Sequence, residues 1–361
     1  MSTAPDDRSP TASVGAPIET DAVVIGAGPV GLFQVFELGL QDIHAHVVDA
    51  LPHAGGQPSL LYPDKPIYDL PGLPVCTGQG LAEALLRQTQ PFTPQFHLGQ
   101  TVAAIERAPD GRWLVITSQD TRLLTKTVFI AAGVGAFEPR RLKVEGLAAF
   151  EGHQLHYHLG EPQRLTDRSV VIQGDDDQAL EAALSLSGDG PVRARDVTLI
   201  HRRDSFKADP ALVDRMRQRC REGAMRFIAG QVTGVQVRDE RLCAIELTPP
   251  DGEVQPLALD HLLVLQGLSP RLGPVAEWGL SMERKQLVVD TERFATSEAG
   301  IFAVGDINTY PGKRKLLVCG FHECTLAAFA AATIVYPDRP VLLQYTTTST
   351  HLHEVLGVSR H

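Results

Sequence analysis

The chain has 361 residues, 43% hydrophobic and 21% charged, an ordinary globular composition with length for two domains that each bury a core. A formal net charge of −10 argues against general affinity for nucleic acid or anionic membrane. No run of about eighteen apolar residues occurs, so no membrane span is expected.

Residues 1–18 are polar, rich in Pro, Ser, Thr and Asp, and lack the apolar segment of an export signal, so a disordered tail is expected. Residues 21–25 are apolar and β-branched and predict a buried parallel strand. Gly26-Ala-Gly-Pro-Val-Gly31 follows, then a helical pattern to Leu40 and a second strand at 46–49, which completes a βαβ opening. Residues 55–80 are loop-like, with five prolines among them, and 81–89 read as a helix. Residues 113–117 alternate like a strand, and 127–132 read as another buried strand. A second βαβ pattern runs through a strand at 170–172, Gly174, a helix at 178–186 and a strand at 197–200. Residues 232–237 and 242–247 predict an antiparallel pair turning at 238–241. Residues 300–306 form a strand that delivers Asp306 at its carboxyl end, and an apolar helix follows at about 319–335.

This order predicts an α/β protein with two Rossmann-like dinucleotide-binding domains, the second inserted into the first. The expected boundaries are 1–18 for the tail, 19–138 with 269–361 for the first domain, and 139–268 for the second. Glycines and prolines at 135–141 and 267–274 suit the two crossings.

Gly26, Gly28 and Gly31 form a complete G-x-G-x-x-G between strand and helix. The first glycine makes the turn, the second admits a pyrophosphate to the backbone, and the third lets helix and strand pack closely. The helix N-terminus adds N–H donors and positive potential, and Asp49, ending the next strand, stands where a carboxylate takes ribose hydroxyls. The motif alone does not separate FAD from NAD. Asp306 favours FAD, because a carboxylate at a strand end suits a ribityl hydroxyl.

Several further segments carry a resemblance: Gly55-Gly-Gln-Pro-Ser-Leu-Leu-Tyr62, Ile67-Tyr-Asp-Leu-Pro-Gly72, Gly135-Ala-Phe-Glu-Pro-Arg140, His201-Arg-Arg-Asp-Ser-Phe206, Leu272-Gly-Pro-Val-Ala-Glu-Trp-Gly279, Gly305-Asp-Ile-Asn-Thr-Tyr-Pro-Gly-Lys-Arg-Lys315 and Gly320-Phe-His-Glu323. Over residues 20–358 the chain resembles the bacterial thioredoxin-reductase-like ferredoxin–NADP+ reductases. Thioredoxin reductases proper carry a Cys-x-x-Cys in the middle domain, and this chain has none. The resemblance implies FAD and NADPH as cofactors, ferredoxin or flavodoxin as one-electron carrier, and a homodimer. It implies that Gln57 contacts FAD, that Tyr62 stacks on the isoalloxazine, that Val102 and Phe137 lie near the adenosine and flavin, and that Asp306 holds the ribityl chain. It also implies that Thr348 and Ser349 cover the other flavin face, reaching from the partner subunit. From the residues alone, Tyr62 also reads as a half-buried core tyrosine, and the Thr-rich tail as no more than a polar terminus.

His201, Arg202 and Arg203 end the second strand of the middle domain, where an NADP site needs positive charge for the 2′-phosphate. The glycine loop departs from the family pattern of three glycines followed by Asp-Ser-Ala. Here it reads Gly174-Asp175-Asp176-Asp177-Gln178-Ala179, with Asp176 where backbone should touch pyrophosphate. Lys207 replaces the family's usual arginine, and Asp209-Pro210 replaces His-Glu. Two expectations stand side by side: an NADPH site in which the arginines and helix dipole offset the acids, or a domain that keeps the fold without the nicotinamide cofactor. The matching functions are a ferredoxin–NADP+ reductase, a FAD oxidase or dehydrogenase with another electron donor, or a non-catalytic FAD-binding protein.

Cys319 and Cys324 lack redox spacing and read as packing residues; with Cys76, Cys220 and Cys243 they show no disulfide framework, which fits a reducing cytoplasm. His153, His156 and His158 lack a supporting carboxylate, so no metal site is expected. Arg140, Arg141 and Lys143, with Lys313, Arg314 and Lys315, form two basic clusters that fit either an acidic electron carrier or ordinary surface charge. No catalytic side chain is expected, since the flavin carries the chemistry.

Overall fold

The computed structural model describes residues 16–188, 190–250 and 252–358, and of Phe137 the backbone alone. These residues divide into two units, one running to Ala136 and resuming at Arg271, the other Phe137–Pro270. Most of the expected tail lies outside the described residues, and its last residue, Ile18, already begins a strand.

In the first unit the strand Ile18–Ile25 is central, because Ala22, Val23, Val24 and Ile25 bury apolar groups on both faces. It pairs in parallel with Ala45–Asp49 on one side and Arg122–Ile130 on the other, and Gln95–Leu98 extends the sheet beyond Ala45–Asp49. An antiparallel hairpin, Val102–Arg107 with Trp113–Thr117, joins the first half of Arg122–Ile130. The returning strand Ile301–Ala303 pairs in parallel with that strand's last three residues. The registers align Ile25 with Val48 and Ile130, and Ile130 with Ala303. The carboxyl ends of four strands therefore share one edge, the edge at which open α/β sheets bind ligands.

The helices Pro29–Gly39 and Leu317–Val335 pack together over this sheet. Leu317–Val335 has the length and hydropathy of a membrane span. It is instead a core helix on one side: Cys324, Ala327, Ala328, Ala331 and Ala332 are buried in the sheet's core, and Glu323 is fully buried.

Glu37, on Pro29–Gly39, is also buried. Burial pushes its carboxyl up to about 7, against a smaller opposing pull from the Thr325 hydroxyl. A carboxyl whose folded value is raised stabilises fully below its unfolded value, and that contribution is lost as pH rises through the folded one. Stability is therefore expected to fall between pH 4.5 and about 7 on this account. Glu37→Gln should raise stability at pH 8 by up to about 3 kcal/mol and leave it nearly unchanged at pH 4.5, as thermal melts at the two pH values would measure.

The second unit has a five-stranded parallel sheet in the order Leu155–His156, His261–Val264, Ser169–Gln173, Asp196–His201, Arg226–Ala229. Alternation sorts its side chains: Val170 and Ile172 face the core under the helices Asp177–Leu186 and Pro210–Arg221, while Val171 faces the core under a three-stranded antiparallel sheet. In that small sheet Gln231–Arg238 pairs with Arg241–Thr248, and Arg238 stands opposite Arg241. The two residues between, Asp239 and Glu240, both have positive φ, as a two-residue primed turn requires. Glutamate is strained there, and the pair replaced by Asn-Gly should stabilise the fold by about 1 kcal/mol, read as a raised Tm.

Candidate functional site

The corner at the carboxyl edge of the first sheet is built on glycine. Gly26 has φ +111, and a Cβ there would lie 2.5 Å from the Ala131 carbonyl oxygen. A Cβ on Gly31 would overlap the Gly26 carbonyl oxygen. Gly28 precedes Pro29, and no side chain caps the helix that starts there. Gly56, with φ +60, comes so close that a Cβ on it would lie 2.6 Å from the Gly28 Cα. The Gly55 N–H donates to the Ala27 carbonyl, tying the two loops together.

Asp49 ends its strand beside this turn. Its two oxygens accept from the Ala27 N–H at 2.5 Å and the Leu51 N–H at 2.7 Å. A carboxylate has about four acceptor positions, so two remain for sugar hydroxyls. Burial raises its pKa, opposed by these N–H donors.

Gly305 and Asp306 come in from the returning strand. Gly305 has φ +80, and Cβ atoms on Gly305 or Gly320 would press on Val30, in the first turn of the Pro29 helix. The long helix also starts without a side-chain cap, at Leu316. Two uncapped helix N-termini therefore converge with Asp49, Gly28 and Asp306 in one corner, where bare N–H donors and positive helix ends suit an anion such as a diphosphate. Tyr62 is half-buried at the end of the short helix Gly56–Leu61, and Asp306 is close enough to add to the burial that raises its hydroxyl pKa. Gln57 is half-buried on the same short helix, and Val102 is buried in the sheet's core. The side chain of Phe137 lies outside the described residues.

In the second unit Gly174 is required by packing, since a Cβ would overlap the Leu265 carbonyl and the Ala179 methyl. The acids after it are engaged. Asp175 ion-pairs with Lys207 at 2.8 Å and stands 3.6 Å from His201 Nε2. Asp176 caps its own helix, accepting from the Ala179 N–H at 3.2 Å. Asp177 accepts from the Asp209 N–H at 2.6 Å. The His201 Nδ1 lies 3.0 Å from the Arg203 carbonyl, while Arg202 and Arg203 point no guanidinium at any partner among the described residues. The free arginines fit a phosphate. The helix start, as arranged, holds a carboxylate where a diphosphate needs bare backbone.

A model of the pyridine nucleotide-disulphide oxidoreductases matches residues 20–319. The chain is 60% identical to a ferredoxin–NADP reductase of Albidiferax ferrireducens over 342 residues, 95% of this chain and 97% of the relative. It is 57% identical to the protein of the same name from Polaromonas naphthalenivorans, over 95% of this chain and 93% of the relative. The chain belongs to the pyridine nucleotide-disulphide oxidoreductases, in their thioredoxin-reductase-like ferredoxin–NADP+ reductase branch. The thioredoxin reductase of Lactococcus lactis shares the fold, with a TM-score of 0.56 at 22% identity over 88% of this chain and 99% of that one.

Family position does not carry every site residue into the glycine corner. Ser349 caps the helix Thr350–Val355 through the Leu352 N–H, and Thr348 is exposed before it. This tail docks on Asp42, which takes His351 at 2.9 Å and Arg339 at 2.8 Å. Asp42 follows the far end of the helix Pro29–Gly39, about 16 Å along its axis from the glycine turn. Thr348 and Ser349 thus sit away from the corner of their own chain.

The basic run at 313–315 is not all surface charge. Lys313 is buried, with 7% of its side chain exposed, because it pairs with Glu323; only Arg314 and Lys315 remain at the surface there. In the other cluster Arg141 forks onto Glu151. Cys324 is a packing residue: it is fully buried, donates to the Val30 carbonyl, and burial pushes its thiol well up. His156 pairs with His261, and no metal-binding cluster occurs among the described residues. Sequence reading missed the Asp175–Lys207 pair, the Asp42 hub and the Glu323 network; Gly320-Phe-His-Glu323 was the one signal for the last.

Proposed function

We propose that this chain is a FAD-dependent ferredoxin–NADP reductase, with FAD in the first unit and NADP(H) in the second. The observation that carries the FAD reading is the corner where Cβ atoms on Gly26 and Gly31 would strike backbone, Gly28 leaves its main chain bare, two helices begin uncapped, and Asp49 keeps two acceptor positions. The relatives' names support the activity.

When bound, FAD supplies the redox chemistry, accepting electron pairs from a reduced nicotinamide and releasing single electrons to ferredoxin. The chain binds and orients. The glycine turn and helix ends hold the diphosphate, Asp49 the ribose, and Asp306 the ribityl hydroxyls. Tyr62 offers a flat apolar face to the ring, and Gln57 an amide to its edge. No side-chain acid or base takes part.

Arg202 and Arg203 take the 2′-phosphate of NADP(H), with His201 beside them. The acidic loop makes this the weaker site, and it favours one second reading: a flavoprotein reduced by a donor other than NADPH. Arg314 and Lys315, exposed beside Leu316 and Val318, form a basic and apolar patch suited to an acidic ferredoxin or flavodoxin. The protein works as a cytoplasmic homodimer in which Thr348 and Ser349 cover the partner's flavin; the free cysteines suit that compartment.

Anaerobic mixing with NADPH, followed by ferredoxin-dependent reduction of cytochrome c, tests this. Rapid bleaching of the flavin and ferredoxin-dependent turnover are expected. Bleaching by a different donor and not by NADPH would select the second reading.

A further inference from the structure

Glu323 is fully buried on the long helix, and its carboxylate accepts from four donors. Oε2 takes the Gly305 N–H at 2.7 Å and the Asn308 side-chain amide at 2.8 Å. Oε1 takes the Tyr310 hydroxyl at 3.0 Å and the Lys313 ammonium at 2.5 Å. Lys313 Nζ also donates to the Gly305 carbonyl at 2.8 Å. Burial and the adjacent Glu323 charge both push the Tyr310 hydroxyl up, keeping it a donor.

The two charges of one ion pair thus grip both backbone groups of a single residue. Gly305 turns with φ +80, and Asp306 follows it directly. Glu323 holds the N–H of the peptide entering Gly305 and Lys313 the carbonyl of the peptide joining it to Asp306, so the planes on both sides of the turn are fixed. Buried ion pairs are seldom kept for stability, since apolar groups of similar volume pack as well or better. Geometry is what this one supplies. We propose that Glu323 and Lys313 are positioning residues for FAD: the pair sets the Gly305–Asp306 turn against the cofactor and presents a balanced charge to it.

This inference rests on the flavin reading above, and its test separates the two. Apoprotein is titrated with FAD, and the midpoint potential of the bound flavin is measured, for the wild type, Glu323→Gln and the double variant Lys313→Met/Glu323→Gln. Glu323→Gln leaves the ammonium unbalanced, which favours the more negative reduced flavin, so the potential should rise. The double variant removes both charges. It should fold with a Tm near the wild type's, return the potential toward wild type, and bind FAD about ten- to a hundredfold more weakly, because the Gly305 carbonyl loses its charged donor. If Glu323→Gln does not fold, the double variant carries the test. Wild-type FAD affinity in the double variant, or an unmoved potential in Glu323→Gln, overturns the inference. Wild-type protein that takes up no FAD would instead defeat the flavin reading itself.

Discussion

Gly31→Val is expected to purify without flavin. A Cβ at position 31 would overlap the Gly26 carbonyl oxygen, and the two γ carbons of valine would push further into the turn. The neighbouring groups have no room to yield: Gly26 already turns with φ +111, and its N–H is held by the Val48 carbonyl at 2.8 Å. The helix must move off the strand, and the uncapped N–H groups that face the diphosphate move with it. FAD affinity should fall by about a hundredfold or more, the consequence of losing several charge-assisted hydrogen bonds together. The ratio of flavin to protein absorbance after purification checks this. Circular dichroism would verify that the rest of the protein is folded, since the second unit has its own core.

Asp176→Gly is expected to tighten NADPH binding by about tenfold. A carboxylate at contact range from a phosphate costs on the order of 1 kcal/mol or more, and relief of 1.4 kcal/mol is a factor of ten. The same side chain occupies the Ala179 N–H, so glycine also frees a donor. The cost appears elsewhere, as a helix that loses its cap and about 1 kcal/mol of stability. Titration with NADP+, followed by perturbation of the flavin spectrum, gives the affinity. Asp175 is a poorer target, because Lys207 already neutralises it at 2.8 Å.

How much could be read beforehand differs by residue. Gly26, Gly31 and Gly174 were legible because steric demand at a strand–helix turn leaves glycine as the only choice, and the structure shows the overlaps that enforce it. The strand Trp113–Thr117 was legible from its alternation, and the turn at Asp239 and Glu240 from the polar break between two apolar runs. Lys313 was misread as surface charge. Its partner stands ten positions later, on a helix whose composition gives no sign of a buried cation. The acidic loop was legible as a departure, but not the engagement of each acid, since Lys207 and Asp209 reach it only through the fold. The position of Ser349 was hidden for a similar reason: it depends on Asp42, 309 positions before His351.

FAD binding by the glycine corner of the first unit can be measured on the protein itself. The most direct measurement is reconstitution of purified, flavin-stripped protein with FAD, followed by fluorescence quenching and stoichiometry. Tight uptake of about one FAD per chain and a structured flavin absorbance band are expected. Protein that stays colourless with FAD in excess, while its circular dichroism shows it folded, would contradict FAD binding there.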